Sequence, residues 1–344
     1  MKKLTLKDVA SELGVSTATI SNAYNRPDQL SAKLRSHILK ECLRLGYNGP
    51  NATAASLRRG TSGIIGVMVA DRLHFNFTDP VASQFLQGVA EVFDSNGVNM
   101  FLLPTRADYY KHRSIESVPD AFIMYGRPND ESIVERILQQ QKTLITVDFD
   151  LGESHASINV DNFSGARESA EHAFKRSDGE AAIIGLRLLN INEVQRIKDA
   201  EMFGDEISIS RRRLNGYLAA AEAMDRHIRP DMIWHTPDSN FQNGYQAARE
   251  ALSASPRPRI LLCMSDRLAL AAIQASLDLG FKVPDDVKVV GFDDIPDAAH
   301  WRPSLTTVHQ PSVAKGRLAA QAVLKGDTSN NRLLTAQLVV RESC

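Results

Sequence analysis

Apolar residues recur along the chain in two rhythms. In the first 46 residues they fall at helical spacing, and from residue 61 onward they come as short continuous runs separated by amphipathic stretches. Thr5-Leu6-Lys7-Asp8 reads as a helix start, because the Thr5 hydroxyl can accept from a free backbone N–H and Asp8 puts negative charge in the first turn. That helix runs through Val9, Ala10 and Leu13, and Gly14 supplies the permissive backbone for a tight exit. Ser16 caps a second helix over residues 17–24, and Ser31 caps a third over 32–45. Leu34, Ile38, Cys42 and Leu45 fall on one stripe of the third helix, suited to close over Val9, Ala10, Val15 and Ile20. Two short helices across a three-residue turn make a helix-turn-helix; a three-helix bundle without a ligand is the plainer alternative.

The later runs are 64–69, 100–103, 121–124, 144–147, 181–184, 260–263 and 287–290, each the signature of a strand buried on both faces of a parallel sheet. Helical stretches at 81–95, 131–140, 165–175, 213–224, 241–253 and 266–279 lie between most of them. The alternation predicts doubly wound, Rossmann-like α/β lobes behind an all-α head. The expected organisation is a helix-turn-helix domain at 1–46, a hinge at 47–60 and a two-lobed body at 61–344.

Charge sharpens that division. Residues 1–60 hold ten basic and four acidic side chains, a net of +6, and the whole chain carries −1, so the remainder carries −7. A basic head on an acidic body is expected when only the head meets a polyanion, although a chance cluster gives the same count. Cys42, Cys263 and Cys344 stand far apart, which supports neither a disulfide framework nor a zinc site and fits a reducing cytoplasm. The N-terminus shows no apolar secretion segment, and no stretch is long enough to span a membrane. No dinucleotide fingerprint, P-loop, zincin or nucleophile-elbow motif is found, and the nine histidines are scattered without metal spacing. A binding protein without cofactor or metal is expected, not an enzyme.

Ligands of open α/β sheets bind beyond the C-terminal strand ends. Asp71 and Arg72 follow the first run, Tyr125 the third, Asp148 and Phe149 the fourth, and Asp266 the 260–263 run. Carboxylates, an arginine and aromatic faces suit a polyhydroxylated molecule. The segment 73–80, with Phe77, is a further candidate for lining the first lobe.

The run Leu4-Thr5-Leu6-Lys7-Asp8-Val9-Ala10, then Gly14-Val15-Ser16-Thr17-Ala18-Thr19-Ile20-Ser21, Tyr24-Asn25 and Ser31, closely resembles the DNA-binding head of the LacI/GalR family of transcriptional repressors. The resemblance implies that the second helix enters the major groove. Thr17, Ala18 and Asn22 are then base readers, two methyl groups for thymine and an amide for adenine. Many relatives carry arginine where this chain has Asn22. Thr5, Ser16, Thr19, Ser21, Asn25, Ser31 and Tyr47 are the phosphate contacts, which fix register.

The resemblance also implies that, in the hinge, Ala54 and Ala55 allow close pairing of two subunits in the minor groove, that Leu57 wedges a base step open and that Arg58 stands by phosphate. Asn48 and Gly49 lengthen the usual spacing there by one residue, and a plain flexible linker is the alternative. In the body, Asp161-Asn162 with Gly165, Arg213-Leu-Asn-Gly216, Ser265-Asp266, Gly291-Phe292-Asp293-Asp294 and 303–308 resemble family landmarks. They imply two lobes like those of periplasmic sugar-binding proteins, joined by three crossovers. Asp148, Arg213 and Asp266 match effector contacts, followed by Phe149, Asp161 and Asp294; turn-forming roles fit Asp161 and Asp294 equally, and a helix cap is the lesser alternative for Asp266. Ser239 stands where many relatives have an aromatic residue.

The implied partners are a palindromic double-stranded operator, a sugar or sugar derivative as effector, and a second copy of the chain; no heptad repeat follows 338–340, which favours a dimer. Release by the effector is the expected response, with a corepressor-dependent regulator, or a metabolite-binding protein with a vestigial head, as alternatives.

Overall fold

The computed structural model describes residues 4–49, 61–105, 117–128, 130–152, 155–199 and 208–344. The chain forms two compact units, residues 1–64 with 118–120, and residues 65–117 with 121–344.

The smaller unit holds α1 (Leu6–Glu12), α2 (Thr17–Asn25) and α3 (Ala32–Arg44). Each begins at the predicted side-chain cap. Thr5 and Asp8 form a reciprocal capping box, Ser16 Oγ accepts from the Thr19 amide at 3.0 Å, and Ser31 Oγ accepts from Leu34 at 3.3 Å. Gly14 leaves α1 at φ +63°, the left-handed conformation that only glycine adopts without strain. Val9, Ala10, Ile20, Ala23, Ile38, Cys42 and Tyr47 form the core. Leu34 is a correction to the expected stripe: it is exposed, and Leu30 packs against the core in its stead.

The larger unit has two lobes built on mainly parallel sheets, the second with an antiparallel edge strand. In chain order its elements are β1 (Ile64–Val69), α4 (Leu73–Thr78), α5 (Pro80–Asn96), β2 (Asn99–Pro104), β3 (Ala121–Tyr125), α6 (Ser132–Gln139), β4 (Leu144–Val147) and β5 (Ser157–Val160). Then follow α7 (Asn162–Phe174), β6 (Ala181–Leu186), β7 (Gln195–Arg196), α8 (Ile209–Ala223), β8 (Ile233–Thr236), α9 (Phe241–Leu252), β9 (Ile260–Cys263), α10 (Asp266–Asp278) and β10 (Lys288–Val290). The last are α11 (Pro296–His300), β11 (Thr307–His309), α12 (Ser312–Lys325), β12 (Asn331–Leu334) and β13 (Gln337–Val339). One sheet runs β12-β5-β4-β3-β1-β2 and the other β10-β9-β6-β8-β7, while β11 and β13 pair antiparallel. The chain changes lobe three times, after β5, before α12 and after β12, as a two-lobed binding fold requires.

All seven apolar runs are strands. Two further strands, β5 and β8, are buried along their whole length and escaped a reading based on apolar continuity, because Ser157, Asn159, His235 and Thr236 interrupt them. α5 and α12 cross closely on the first lobe: a Cβ on Gly88 would strike the Val313 carbonyl, and one on Gly316 would strike the Phe85 carbonyl. That approach seats Lys315, the neighbour of Gly316, at 1% exposure.

Candidate DNA-reading helix and effector cleft

In the small unit α2 exposes Thr17 and Ala18 to solvent and Asn22 partly. Ser16, Thr19 and Ser21 lie on the same helix or at its cap. Ser16 Oγ also meets Thr19 Oγ1 at 2.8 Å, and Asn25 Nδ2 donates weakly to Ser21 Oγ at 3.4 Å. Thr5, Ser16, Asn25 and Ser31 are exposed, the first, second and fourth of them while capping helices. Tyr47 differs from the expectation: it is 6% exposed, packed edge-on to Tyr24 at 6.1 Å, with its carbonyl accepting from the Tyr24 hydroxyl at 3.2 Å. It is a core residue of the head. Ala54, Ala55, Leu57 and Arg58 lie outside the described residues.

In the large unit the strand ends place three of the sequence candidates together. Burial first, then the carboxylates of Asp148, Asp79, Asp293 and Asp71, raise the Tyr125 hydroxyl well above its ordinary pKa, so Tyr125 stands within electrostatic reach of acids from both lobes. Its ring stacks on Phe85 at 4.2 Å. Asp148 leaves β4 at φ +67° and accepts from Lys315 Nζ at 2.6 Å, with both side chains almost wholly buried. Lys315 Nζ also lies 5.3 Å from the Tyr125 ring centre.

Arg213 rises from α8 into the same region. Its Nε donates to Asn162 Oδ1 at 2.8 Å, Nη1 donates to the Met264 carbonyl and reaches Asp293 Oδ1 at 3.4 Å, and the guanidinium covers the Phe292 ring at 3.6 Å. Asp293 in turn accepts from Gln310 Nε2 at 2.6 Å. Its carboxyl is pushed up to about 6, by burial first, against the opposing pull of Arg213.

Other candidates are occupied by contacts within the protein or, in the case of Phe77, face solvent. Asp266 is fully buried, with its oxygens bonded to Thr307 Oγ1 and the Ile295 amide. Burial and then the Asp293 charge push it up to about 8. Asp294 is bound by Arg341 at 2.6 Å and His309 at 2.9 Å. Asp161 caps α7 through the Ser164 amide, the turn-forming role that fitted it equally. Phe149 packs into a core with Met68, Phe122 and Met124, and Phe77 is 67% exposed on α4. Ser239 is buried and bonded to Ser265 at 2.7 Å.

The lobes also meet through three arginine–aspartate pairs. Arg187 contacts Asp71 at 2.7 Å and Asp238 of its own lobe at 3.3 Å; Arg212 contacts Asp150 at 3.4 Å, and Arg267 contacts Asp79 at 3.8 Å. The loop carrying Arg187 is pinned by buried His235, whose Nδ1 accepts from the Leu189 amide at 3.1 Å while Nε2 faces the Ile191 carbonyl at 3.1 Å. Sequence reasoning missed Arg187, Asp293, Gln310 and Lys315. Only Asp293 had a signal, as the first acid of the Asp293-Asp294 pair. Among the described residues no helix is long and apolar enough to cross a membrane, and no metal-binding cluster is found.

Residues 196–344 match the periplasmic binding protein-like domain family. The helix-turn-helix-type transcriptional regulator Rv3575c of Mycobacterium tuberculosis is 34% identical over 94% of this chain and 91% of its own length. Among solved structures, the lac repressor dimer bound to operator and the anti-inducer ONPF superposes with a TM-score of 0.76 at 23% identity, covering 99% of each chain. The CelR–cellobiose complex follows at 0.69 and 22%, covering 99% of this chain and 100% of that one. At that identity the structures establish the fold, whereas the mycobacterial regulator, 34% identical over 94% of this chain, shows the family. The chain belongs to the LacI/GalR family of helix-turn-helix transcriptional regulators.

Proposed function

We propose that the chain is a cytoplasmic, homodimeric repressor that binds a pseudo-palindromic operator and is released when a sugar-like effector occupies the cleft between its lobes. The observation that carries the DNA half is the solvent-facing start of α2, with Thr17 and Ala18 at the tip of a serine-capped helix, in an N-terminal segment, residues 1–60, of net charge +6. Thr17 and Ala18 contact thymine methyls and Asn22 pairs with adenine, while Thr5, Ser16, Thr19, Ser21, Asn25 and Ser31 hold phosphates. Leu57 opens the central step between paired hinges, with Ala54, Ala55 and Arg58 beside it. The similar lac repressor structure contains operator, which supports this reading.

The effector half rests on Tyr125 and the buried side chains of Asp148 and Arg213, with the partly exposed Asp71 beside Arg187. The similar CelR structure contains cellobiose. The work assigned to the chain is binding, with no reaction catalysed. Operator and effector are linked, so each changes the affinity of the other by the same factor.

Selection of bound duplexes from a random pool tests the proposal. A two-fold symmetric consensus is expected, and Asn22→Ala is expected to relax one symmetric position by about 1–3 kcal/mol. Binding indifferent to base order at moderate salt overturns it. Adding monosaccharides to the complex then separates release from corepression.

A further inference from the structure

The Asp148–Lys315 pair is the least expected feature of the cleft. Lysine reads as a surface residue, yet Lys315 is 1% exposed, on the inner side of α12. A buried ion pair is tolerated when the remaining lone pairs and protons also find partners. Here Asp148 Oδ2 is satisfied by Lys315 at 2.6 Å, whereas Oδ1 is buried and, among the described residues, has no donor at all. A buried carboxylate oxygen without a donor is a strongly unfavourable group. It stands at the C-terminal end of β4, where ligands of this architecture bind.

Charge decides what kind of donor fits. Arg213 already faces Asp293, and Arg187, Arg212 and Arg267 each face an aspartate. These cations are compensated within the protein and hold no surplus charge for a phosphate. Asp148 is compensated too, so an ammonium group approaching Oδ1 would meet the Lys315 charge on the other oxygen of the same carboxylate. A phosphate would set anion against anion. A hydroxyl supplies the missing proton and brings no charge.

We infer that Lys315 is a specificity-determining residue of the effector cleft: it neutralises Asp148 while leaving Oδ1 to accept, and so selects an uncharged polyol over the phosphorylated and aminated forms of the same ring. The inference rests on the reading of the cleft as the effector site.

Titration calorimetry on the full chain tests it with hexoses, pentoses and cyclitols, each beside its monophosphate and its amine. At least one neutral member is expected to bind about tenfold or more tighter than both charged forms. Lys315→Met leaves the Asp148 carboxylate uncompensated and is expected to invert the order in favour of the amine. The double variant Asp148→Asn with Lys315→Met removes both charges and is expected to keep rejecting phosphate and amine alike, which guards against loss of fold in the single variant. Tighter binding of a phosphate ester or amine by the wild-type chain, no binding of any neutral member, or an unchanged order in a folded Lys315→Met protein each overturns the inference. Operator binding by the same preparation keeps the outcomes apart: a chain that reads DNA but fails the panel loses this inference and not the regulator reading, and a chain that binds a neutral polyol without reading DNA does the reverse.

Discussion

Asp293 and Asp294 are adjacent in sequence and opposite in surroundings. The backbone passes through positive φ at both, +130° and +57°, so one carboxylate turns inward to Arg213 and Gln310 while the other turns to Arg341 and His309. Asp266 lies beside the inward one and donates its own amide to Asp293 Oδ2 at 3.4 Å. A Cβ at Gly291 would strike Asp266 Oδ1, so the chain reserves bare backbone there for the carboxyl to lie against. Folding lifts Asp266 from the ordinary carboxylate range to about 8, which means that the native state holds a proton that the unfolded chain releases. The stability contributed by that proton is complete below about pH 4 and is lost as the pH rises toward the folded value. Between about pH 6 and 8 the melting temperature is therefore expected to fall, and Asp266→Asn, which cannot ionise, is expected to flatten that fall. Parallel slopes for the two proteins would place the titrating group elsewhere.

At the scale of elements, the crossing of α5 and α12 depends on the absence of two side chains. Gly316→Ala directs a methyl at the Phe85 carbonyl, which is backbone and cannot rotate away, so a loss of about 1–3 kcal/mol in denaturant unfolding is expected. A variant as stable as the parent would mean that the helices can separate freely. The same crossing shows where sequence reading stopped. The capped helices of the head were legible because each cap is a local pattern, three residues from side chain to amide. The apolar runs were legible because most of their positions are buried, although the run at 287–290 carries Lys288 and the run at 100–103 begins on exposed Met100.

β5 and β8 were not legible, because their polar residues are satisfied from elsewhere in the chain: Ser157 and Asn159 by Asp150, His235 by the backbone of 189 and 191. Among candidate site residues, Asp71, Tyr125 and Asp148 were named from the rule that ligands bind beyond the strand ends. Their partners did not, since Lys315 joins Asp148 across 167 positions, and no local pattern distinguishes a lysine that folding will bury.

On the scale of the whole effector unit, Arg187, Arg212 and Arg267 come from the β6-β8-β9 lobe, and Asp71, Asp150 and Asp79 from the lobe built on β1, β3 and β4. All three pairs retain some exposure, so each is worth about 0–1 kcal/mol after screening by solvent. If the lobes open and close about their crossovers, the three acting in parallel are expected to bias closure by at most about 3 kcal/mol, up to roughly 150-fold. That is small enough for an effector to exceed. The screening length falls from about 10 Å at 0.1 M salt to about 3 Å at 1 M, so the bias is expected to fade as salt rises. Spin labels at Ser95→Cys on α5 and Ser253→Cys, which follows α9, would read the lobe separation directly. Arg187→Ala is expected to shift the distance distribution outward at low salt, and high salt is expected to bring the parent toward the same distribution. If the variant and parent distributions superimpose at low salt, the arginine–aspartate pairs do not govern closure. If they separate, linkage requires that effector affinity fall in the variant by the factor through which the closed population fell.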